Sequence, residues 1–392
     1  MSSPIIRPAA RALAVEPFHA MRVLARAKEL EAQGRDIVHM EVGEPDFGTP
    51  APIVEAGRRA LADGLTRYTP ATGLPLLREA IAHYYGERYA VPVRPGRVLV
   101  TPGASGALNL VLAGLLDPGD EVLLADPGYP CYRHLVGLLG GRPRLVALGP
   151  DSGFKLTAER AAAAWSPGVR VVLVASPSNP TGSVLEPAEL ADLYHLAQAR
   201  GAALVVDEIY QGLVYDTTDH TALAVGSEGL FVVNSFSKYF GMTGWRLGWA
   251  VCPDDFAQVL DRIAQNLYLA APTLAQYAAL AAFGPETRAL IEARCVEYRH
   301  RRDFLIEALE RLGFAFAGRP QGAFYLYADA AVFGMPSADL AVDLLEHAGV
   351  AVTPGLDFGL TGAERYLRFA YTTDLARLEE GERRLGGWLR VR

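Results

Sequence analysis

The chain of 392 residues is 51% hydrophobic and 21% charged, a balance that supplies a sizeable core, excludes extended disorder and suggests roughly two or three domains. Its net charge of −7, with no basic run, argues against a nucleic-acid partner, because phosphate-backbone binding needs a concentrated cationic surface. Cys131, Cys252 and Cys295 are dispersed and odd in number, so neither a disulfide framework nor a metal site is expected, and a reducing, cytoplasmic setting fits.

Residues 1–18, MSSPIIRPAARALAVEPF, carry Arg7 and Arg11 but no apolar signal core. Pro4, Pro8 and Pro17 interrupt any helix there, and the stretch reads as an ordered arm. No apolar run approaches membrane-spanning length. After Pro17 the periodicity predicts a helix with Met21, Leu24, Ala25 and Lys28 on one stripe and a stop at Gly34. A short strand and a turn-rich loop follow over 36–50.

From residue 51 to about 250, helical and strand signals alternate. Helices are predicted over 51–63 and 74–89. RVLVTPGASGALNLVLAGLL reads as strand, glycine turn and helix, DEVLLADPGYP as strand and turn, and CYRHLVGLLGG as helix. VRVVLVASPSNPTG is an apolar strand breaking into a polar turn; a helix with Pro187 in its first turn comes next. AALVVDEIY and GLFVVNSFS are strands ending in polar residues. Strands this continuously apolar belong to a mainly parallel sheet with helices on both faces, an α/β three-layer sandwich. Beyond two further helices, a long one from Pro285 to about Leu312 alternates Glu and Arg, as suits a solvated face with i,i+4 pairs. The tail mixes strands and helices of a smaller α+β domain. The expected division is 48–283 for the large domain, with 1–47 and 284–392 forming the small one.

In an open parallel sheet, ligands bind at the carboxyl ends of the strands. The polar residues there are Gly103, Ala104 and Ser105, then Tyr129, Asn179, Asp207 with Tyr210, and Ser235 with Ser237 and Lys238. TPGASGAL offers backbone N–H groups at a helix N-terminus, which suits a phosphate, although it fits neither the dinucleotide nor the nucleoside-triphosphate fingerprint. Lys238 is one of only three lysines, with Lys28 and Lys155, among 34 arginines. A lysine pKa moves readily on burial and its amine can act as a nucleophile, whereas arginine stays charged. A phosphate cradle, an acid, a lysine and aromatic residues along one sheet edge are the parts that hold pyridoxal phosphate.

The chain resembles the fold-type I aminotransferases of class I/II, the group that contains aspartate aminotransferase. The resemblance spans EVGEPDFGTP, RYTPATGLPLLREAIAHYY, SNPTG, DEIY, SFSKYFGMTGWRLGW and LRFAYT, with the family's spacing at Asn179, Asp207, Tyr210, Lys238 and Arg246. It implies that Lys238 forms the internal aldimine and that Asp207 keeps the pyridine nitrogen protonated. Asn179 and Tyr210 would meet the ring hydroxyl, and Tyr129 would stack on the ring. Ala104, Ser105, Ser235, Ser237 and Arg246, beside Gly103, would bind the phosphate. Tyr68 would reach the phosphate of a neighbouring subunit, implying a homodimer with shared sites. Arg368 would grip the substrate α-carboxylate, with Gly43 beside it.

The activity implied is ping-pong exchange of an amino group between an L-amino acid and a 2-oxo acid, with glutamate and 2-oxoglutarate as the default pair. The segment after Arg262 lacks the second arginine that dicarboxylate specialists often carry. Phe18, Tyr268 and Leu269 are candidates for an apolar side-chain pocket, or for plain packing. β-Elimination from cysteine conjugates on the same fold is the alternative chemistry. The missing dinucleotide fingerprint counts against an oxidoreductase, and the complete site counts against a non-catalytic binding protein.

Overall fold

The computed structural model describes residues 6–391; residues 1–5 of the arm, with Pro4, and Arg392 lie outside the described residues. The twelve strands are β1 (Val38–His39), β2 (Val98–Thr101), β3 (Glu121–Asp126), β4 (Arg142–Ala147), β5 (Val169–Ala175), β6 (Ala203–Asp207), β7 (Leu230–Ser235), β8 (Gly248–Val251), β9 (Tyr325–Asp329), β10 (Val350–Ala351), β11 (Thr353–Pro354) and β12 (Tyr366–Ala370).

Seven of them form the central sheet in the order β2-β8-β7-β6-β5-β3-β4. Every pairing is parallel except those of β8, which runs against both β7 and β2. Alternate residues of one strand enter two different cores. Val171 and Leu173 pack with the helices Gly103–Leu115 and Asp254–Leu267. Val172 and Val174 pack on the other face, with Pro75–Tyr89 and Pro187–Ala199. Burial on both faces explains why these strands lack a polar alternation. The helix Pro187–Ala199 opens on a capping box, Glu186 with Glu189.

A second sheet, β11-β12-β9, is antiparallel, and β1 pairs in parallel with β10. The N-terminal strand thus packs with the C-terminal third of the chain. The helix Pro285–Arg311 lies between these parts, and two of its arginines depart from the solvated face expected of it. Arg301 and Arg302 are buried, bonded to Asp46 and Asp216 from outside the helix. Burying a guanidinium requires such partners.

The helix His19–Ala32 buries Val23, Ala27 and Leu30, not the stripe read from its sequence. Those three pack on Ile37, Leu345 and Ala351, while Met21 turns toward the cleft described below and Lys28 toward solvent. Among the described residues no helix is long and apolar enough to cross a membrane.

Candidate active site

The carboxyl ends of β5, β6 and β7 open into a cleft of about 220 Å3, closed on the far side by residues 41–43, Tyr325, Phe358 and Arg368. β6 ends on Asp207, the turn after β5 delivers Asn179, and the turn after β7 delivers Lys238. β12 brings Arg368 from the second sheet.

Lys238 is the lysine of the cleft, and its Nζ donates to the carbonyl of Gly43 at 2.7 Å. Burial pulls the amine down to about 8; Arg368 and Arg246 push the same way and Glu44 opposes them. Lys28 and Lys155 lie in ion pairs elsewhere, with Glu31 at 2.8 Å and Glu189 at 2.9 Å. The hydrogen bond to Glu31 raises Lys28. In the ligand-free protein, a small amine-acylating reagent is therefore expected to modify Lys238 before Lys28 and Lys155. Its rate should rise about tenfold per pH unit below pH 8 and level off above, where the amine is neutral. Peptide mapping of the product reads this out, and prior labelling of either other lysine contradicts it.

Asp207 sits buried at the floor. Its Oδ2 accepts from the Tyr132 hydroxyl at 2.7 Å and its Oδ1 from the Ile209 N–H at 3.0 Å. Burial pushes the carboxyl up to about 6 against the pull of those two donors. A cationic ring nitrogen placed opposite would reverse that push.

The Tyr210 and Tyr325 hydroxyls are 2.8 Å apart. Arg368 is buried; its Nη1 donates to Asn179 Oδ1 at 3.0 Å and its Nη2 to the Glu41 carbonyl at 2.5 Å. The guanidinium lies 4.2 Å from the Tyr325 ring centre and 4.6 Å from that of Phe358, and its Nε has no hydrogen-bond partner among the described residues. Gly43 is required by this crowding: a Cβ there would stand 1.7 Å from the Tyr325 hydroxyl.

One corner is built for an anion. Gly103, at φ +72°, starts the helix Gly103–Leu115, so the first-turn N–H groups of Ala104 and Ser105 face outward at its positive end. A Cβ on Gly103 would lie 2.7 Å from Arg246 Nη2. Arg246 Nη1 donates to Ser237 Oγ at 3.4 Å, and the Ser235 hydroxyl is 2.9 Å from that of Ser237. Hydroxyls, a guanidinium and a helix N-terminus form a phosphate-binding set. With Lys238 and Asp207 in the same cleft, the residues present fit pyridoxal phosphate.

Tyr129 lines the cleft, stacked with Phe18 at 6.4 Å between ring centres, which places Phe18 there too. Tyr68 is 82% exposed and outside the cleft of its own chain. Tyr268 and Leu269 do not line the cleft: Tyr268 packs on the core beneath the Asp254–Leu267 helix, and Leu269 is exposed. Leu269 has φ 67°, a left-handed turn that ends the helix and points its side chain outward. Tyr132, Tyr325, Phe358 and Glu41 belong to the site and were not legible as such. Tyr132 alone had a signal, one helical turn beyond Tyr129.

The family model for aminotransferase class I and II matches residues 35–385. The valine–pyruvate aminotransferase of Mycobacterium tuberculosis is 39% identical over 376 residues, covering 96% of this chain and 97% of that one. The aspartate/prephenate aminotransferase of Thermus thermophilus is 39% identical over 365 residues, covering 93% and 94%. A crystal structure of an aminotransferase from Mycobacterium tuberculosis superposes with a TM-score of 0.96 at 38% identity, covering 99% of this chain and all of that one. The chain therefore belongs to the class I and II aminotransferases, enzymes of fold type I that depend on pyridoxal phosphate.

Proposed function

We propose that the enzyme exchanges amino groups between a neutral L-amino acid and a 2-oxo acid by ping-pong kinetics, each substrate using the one cleft in turn. The reading rests on a single juxtaposition: the Lys238 amine and a buried guanidinium, Arg368, share a cleft. When bound, pyridoxal phosphate supplies an aldehyde for the substrate nitrogen and a ring that accepts the electron pair left at Cα. Arg368 holds the substrate α-carboxylate in two parallel hydrogen bonds. Lys238, unprotonated in its dry surroundings, would take the Cα proton and return it to the carbon of the cofactor's former aldehyde group, across the substrate nitrogen. Asp207, fixed by Tyr132, would favour the protonated form of the cofactor's ring nitrogen. Asn179, Tyr210 and Tyr129 would hold the ring. Gly103, Ala104, Ser105, Ser235, Ser237 and Arg246 hold the phosphate. We further propose a homodimer in which Tyr68 of each protomer completes the phosphate site of the other; its exposure beside exposed Leu65 supports this. The division into 48–283 and 1–47 with 284–392 is proposed on the same reading.

The substrate class follows from the lining. Phe18, Met21, Leu108 and Phe358 are apolar, and the cations among the lining residues are Lys238 and Arg368, both already assigned. Among the described residues that line the cleft, a second substrate carboxylate would meet no free positive charge. Of the two relatives named above, the mycobacterial enzyme is named for valine and pyruvate, in keeping with a neutral pair, and the Thermus enzyme for aspartate and prephenate, which are acidic. Glutamate and 2-oxoglutarate, the default second pair, carry a second carboxylate that this lining does not pair, so alanine and pyruvate are proposed in their place. A half-reaction screen tests both choices: each amino acid is mixed with the holoenzyme while the visible absorbance of the lysine-bound cofactor is followed. Valine, leucine and phenylalanine are expected to react at least about tenfold faster than aspartate, the discrimination one unpaired buried charge supports. Aspartate as the fastest donor overturns the class. 2-Oxoglutarate outpacing pyruvate in the return half-reaction overturns the second pair.

A further inference from the structure

The segment 41–43 touches both cations of the cleft. The Glu41 carbonyl accepts from Arg368 Nη2 at 2.5 Å and from Thr353 Oγ1 at 2.8 Å. The Val42 carbonyl accepts from Thr372 Oγ1 at 3.1 Å, and the Gly43 carbonyl from Lys238 Nζ at 2.7 Å. Where these carbonyls lie sets where the guanidinium and the amine lie.

The Glu41 side chain is fully buried. Its Oε1 is 2.7 Å from His39 Nδ1, and its Oε2 has no hydrogen-bond partner among the described residues. The other ring nitrogen of His39 is 3.1 Å from Glu31 Oε1, on the helix His19–Ala32. Glu31 also receives Lys28 Nζ at 2.8 Å. A chain of charged groups therefore runs from the surface at Lys28 to the backbone that holds Arg368.

Two carboxylates, one on each ring nitrogen, require an imidazole that donates from both, and only the protonated ring does so. A neutral ring keeps one N–H, so one contact becomes lone pair against lone pair. Glu31 is partly exposed and can turn to water or Lys28; buried Glu41, two residues beyond β1, can move only with its own backbone. The hydrogen bond to Glu41 is the main cause raising His39 above its ordinary value; Glu31 adds to it and burial opposes. The remaining nearby charges are engaged with one another. Asp36 bonds Arg377 and Arg384 of the C-terminal helix, Arg384 also bonds Glu380, and Glu346 bonds Arg26.

We propose that His39 is a positioning residue for Arg368: protonated, it clamps Glu41 and fixes the carbonyls that aim the guanidinium, and neutral, it releases them and weakens the hold on the substrate carboxylate. This inference rests on the reading of Arg368 as the carboxylate site. The sign follows from the clamp, which is complete below the titration of His39 and lost as pH rises through it.

The test uses the holoenzyme and the KM of a 2-oxo acid, whose carboxylate does not titrate between pH 6 and 9. In the unaltered enzyme KM is expected to rise about 5- to 20-fold across the His39 titration, the difference between a charge-assisted and a neutral hydrogen bond, with kcat changed less than about twofold. His39→Gln, which keeps one donor but no charge, should show the high KM at every pH. Adding Glu41→Gln should restore the low KM without its pH dependence, because two amides pair where a charge was left alone. A His39→Gln enzyme with an unchanged KM profile overturns the proposal. If that variant does not fold, the double variant decides: a high KM there overturns it equally. Failure of the Arg368 reading is separable, since it would show as an unchanged KM in Arg368→Ala whatever His39 does.

Discussion

Lys238→Ala is expected to lower kcat by about 10,000-fold or more while the folded protein still takes up pyridoxal phosphate. Positioned acid–base catalysis alone contributes about 100- to 10,000-fold, and this amine also makes the covalent link to the cofactor. Neither Lys28 nor Lys155 can substitute, because each is tied to a carboxylate away from the cleft. The phosphate corner and Asp207 are untouched by the change, so non-covalent cofactor binding persists. Stability is not expected to fall. Burial disfavours the charged amine, as its lowered pKa records, so the native state gains little from it at neutral pH. A denaturant melt thus separates lost chemistry from lost folding. Lys238→Arg should be as inactive as alanine, because a guanidinium does not give up its proton near neutral pH. Borohydride reduction of the unaltered holoenzyme should leave the cofactor on the peptide containing position 238 and should label neither variant. An alanine variant turning over within about 100-fold of the unaltered enzyme would end the reading of Lys238.

The sheet was readable because its local and tertiary demands agree. VRVVLVA and ALVVD are buried on both faces, so their composition alone marks them as interior parallel strands. β4 was not readable: RPRLVA is a largely uncovered edge strand with two arginines and a proline, and its pattern matches no core template. β8 was hidden for another reason. Four residues between two turns carry too short a signal, and its antiparallel direction is set by its neighbours. The strand-end residues of the site were legible because topology brings carboxyl ends together without needing detail. The supporting contacts were not, being far apart in sequence: Lys238 with Gly43 across 195 positions, Tyr210 with Tyr325 across 115, Arg368 with Glu41 across 327. The stripe of the helix His19–Ala32 was misread because it serves two surfaces. Val23, Ala27 and Leu30 face Ile37, Leu345 and Ala351 while Met21 faces the cleft, and a single apolar period cannot describe both.

Arg368→Ala is expected to reduce kcat/KM about 30- to 4,000-fold, corresponding to the 2–5 kcal/mol typical of truncating one partner of a buried, hydrogen-bonded charge pair. The structure gives a reason beyond the lost contact. Among the described residues no carboxylate pairs with Arg368; its partners are the Asn179 amide, the Glu41 carbonyl and the Thr353 hydroxyl, with two aromatic rings nearby. A buried cation held by neutral acceptors lacks a counter-ion, and an arriving carboxylate supplies one. Alanine removes that charge and opens space between Tyr325 and Phe358. Arg368→Lys should recover part of the loss, since a point charge remains but the planar fork does not. The distinguishing readout is breadth. Amino acid and 2-oxo acid share only the α-carboxylate, so KM should rise by similar factors for both, whereas substitution of Phe18 should change only the substrate whose side chain it covers. An effect confined to one of the two substrates would place the carboxylate elsewhere in the cleft and leave the guanidinium without a role in binding it.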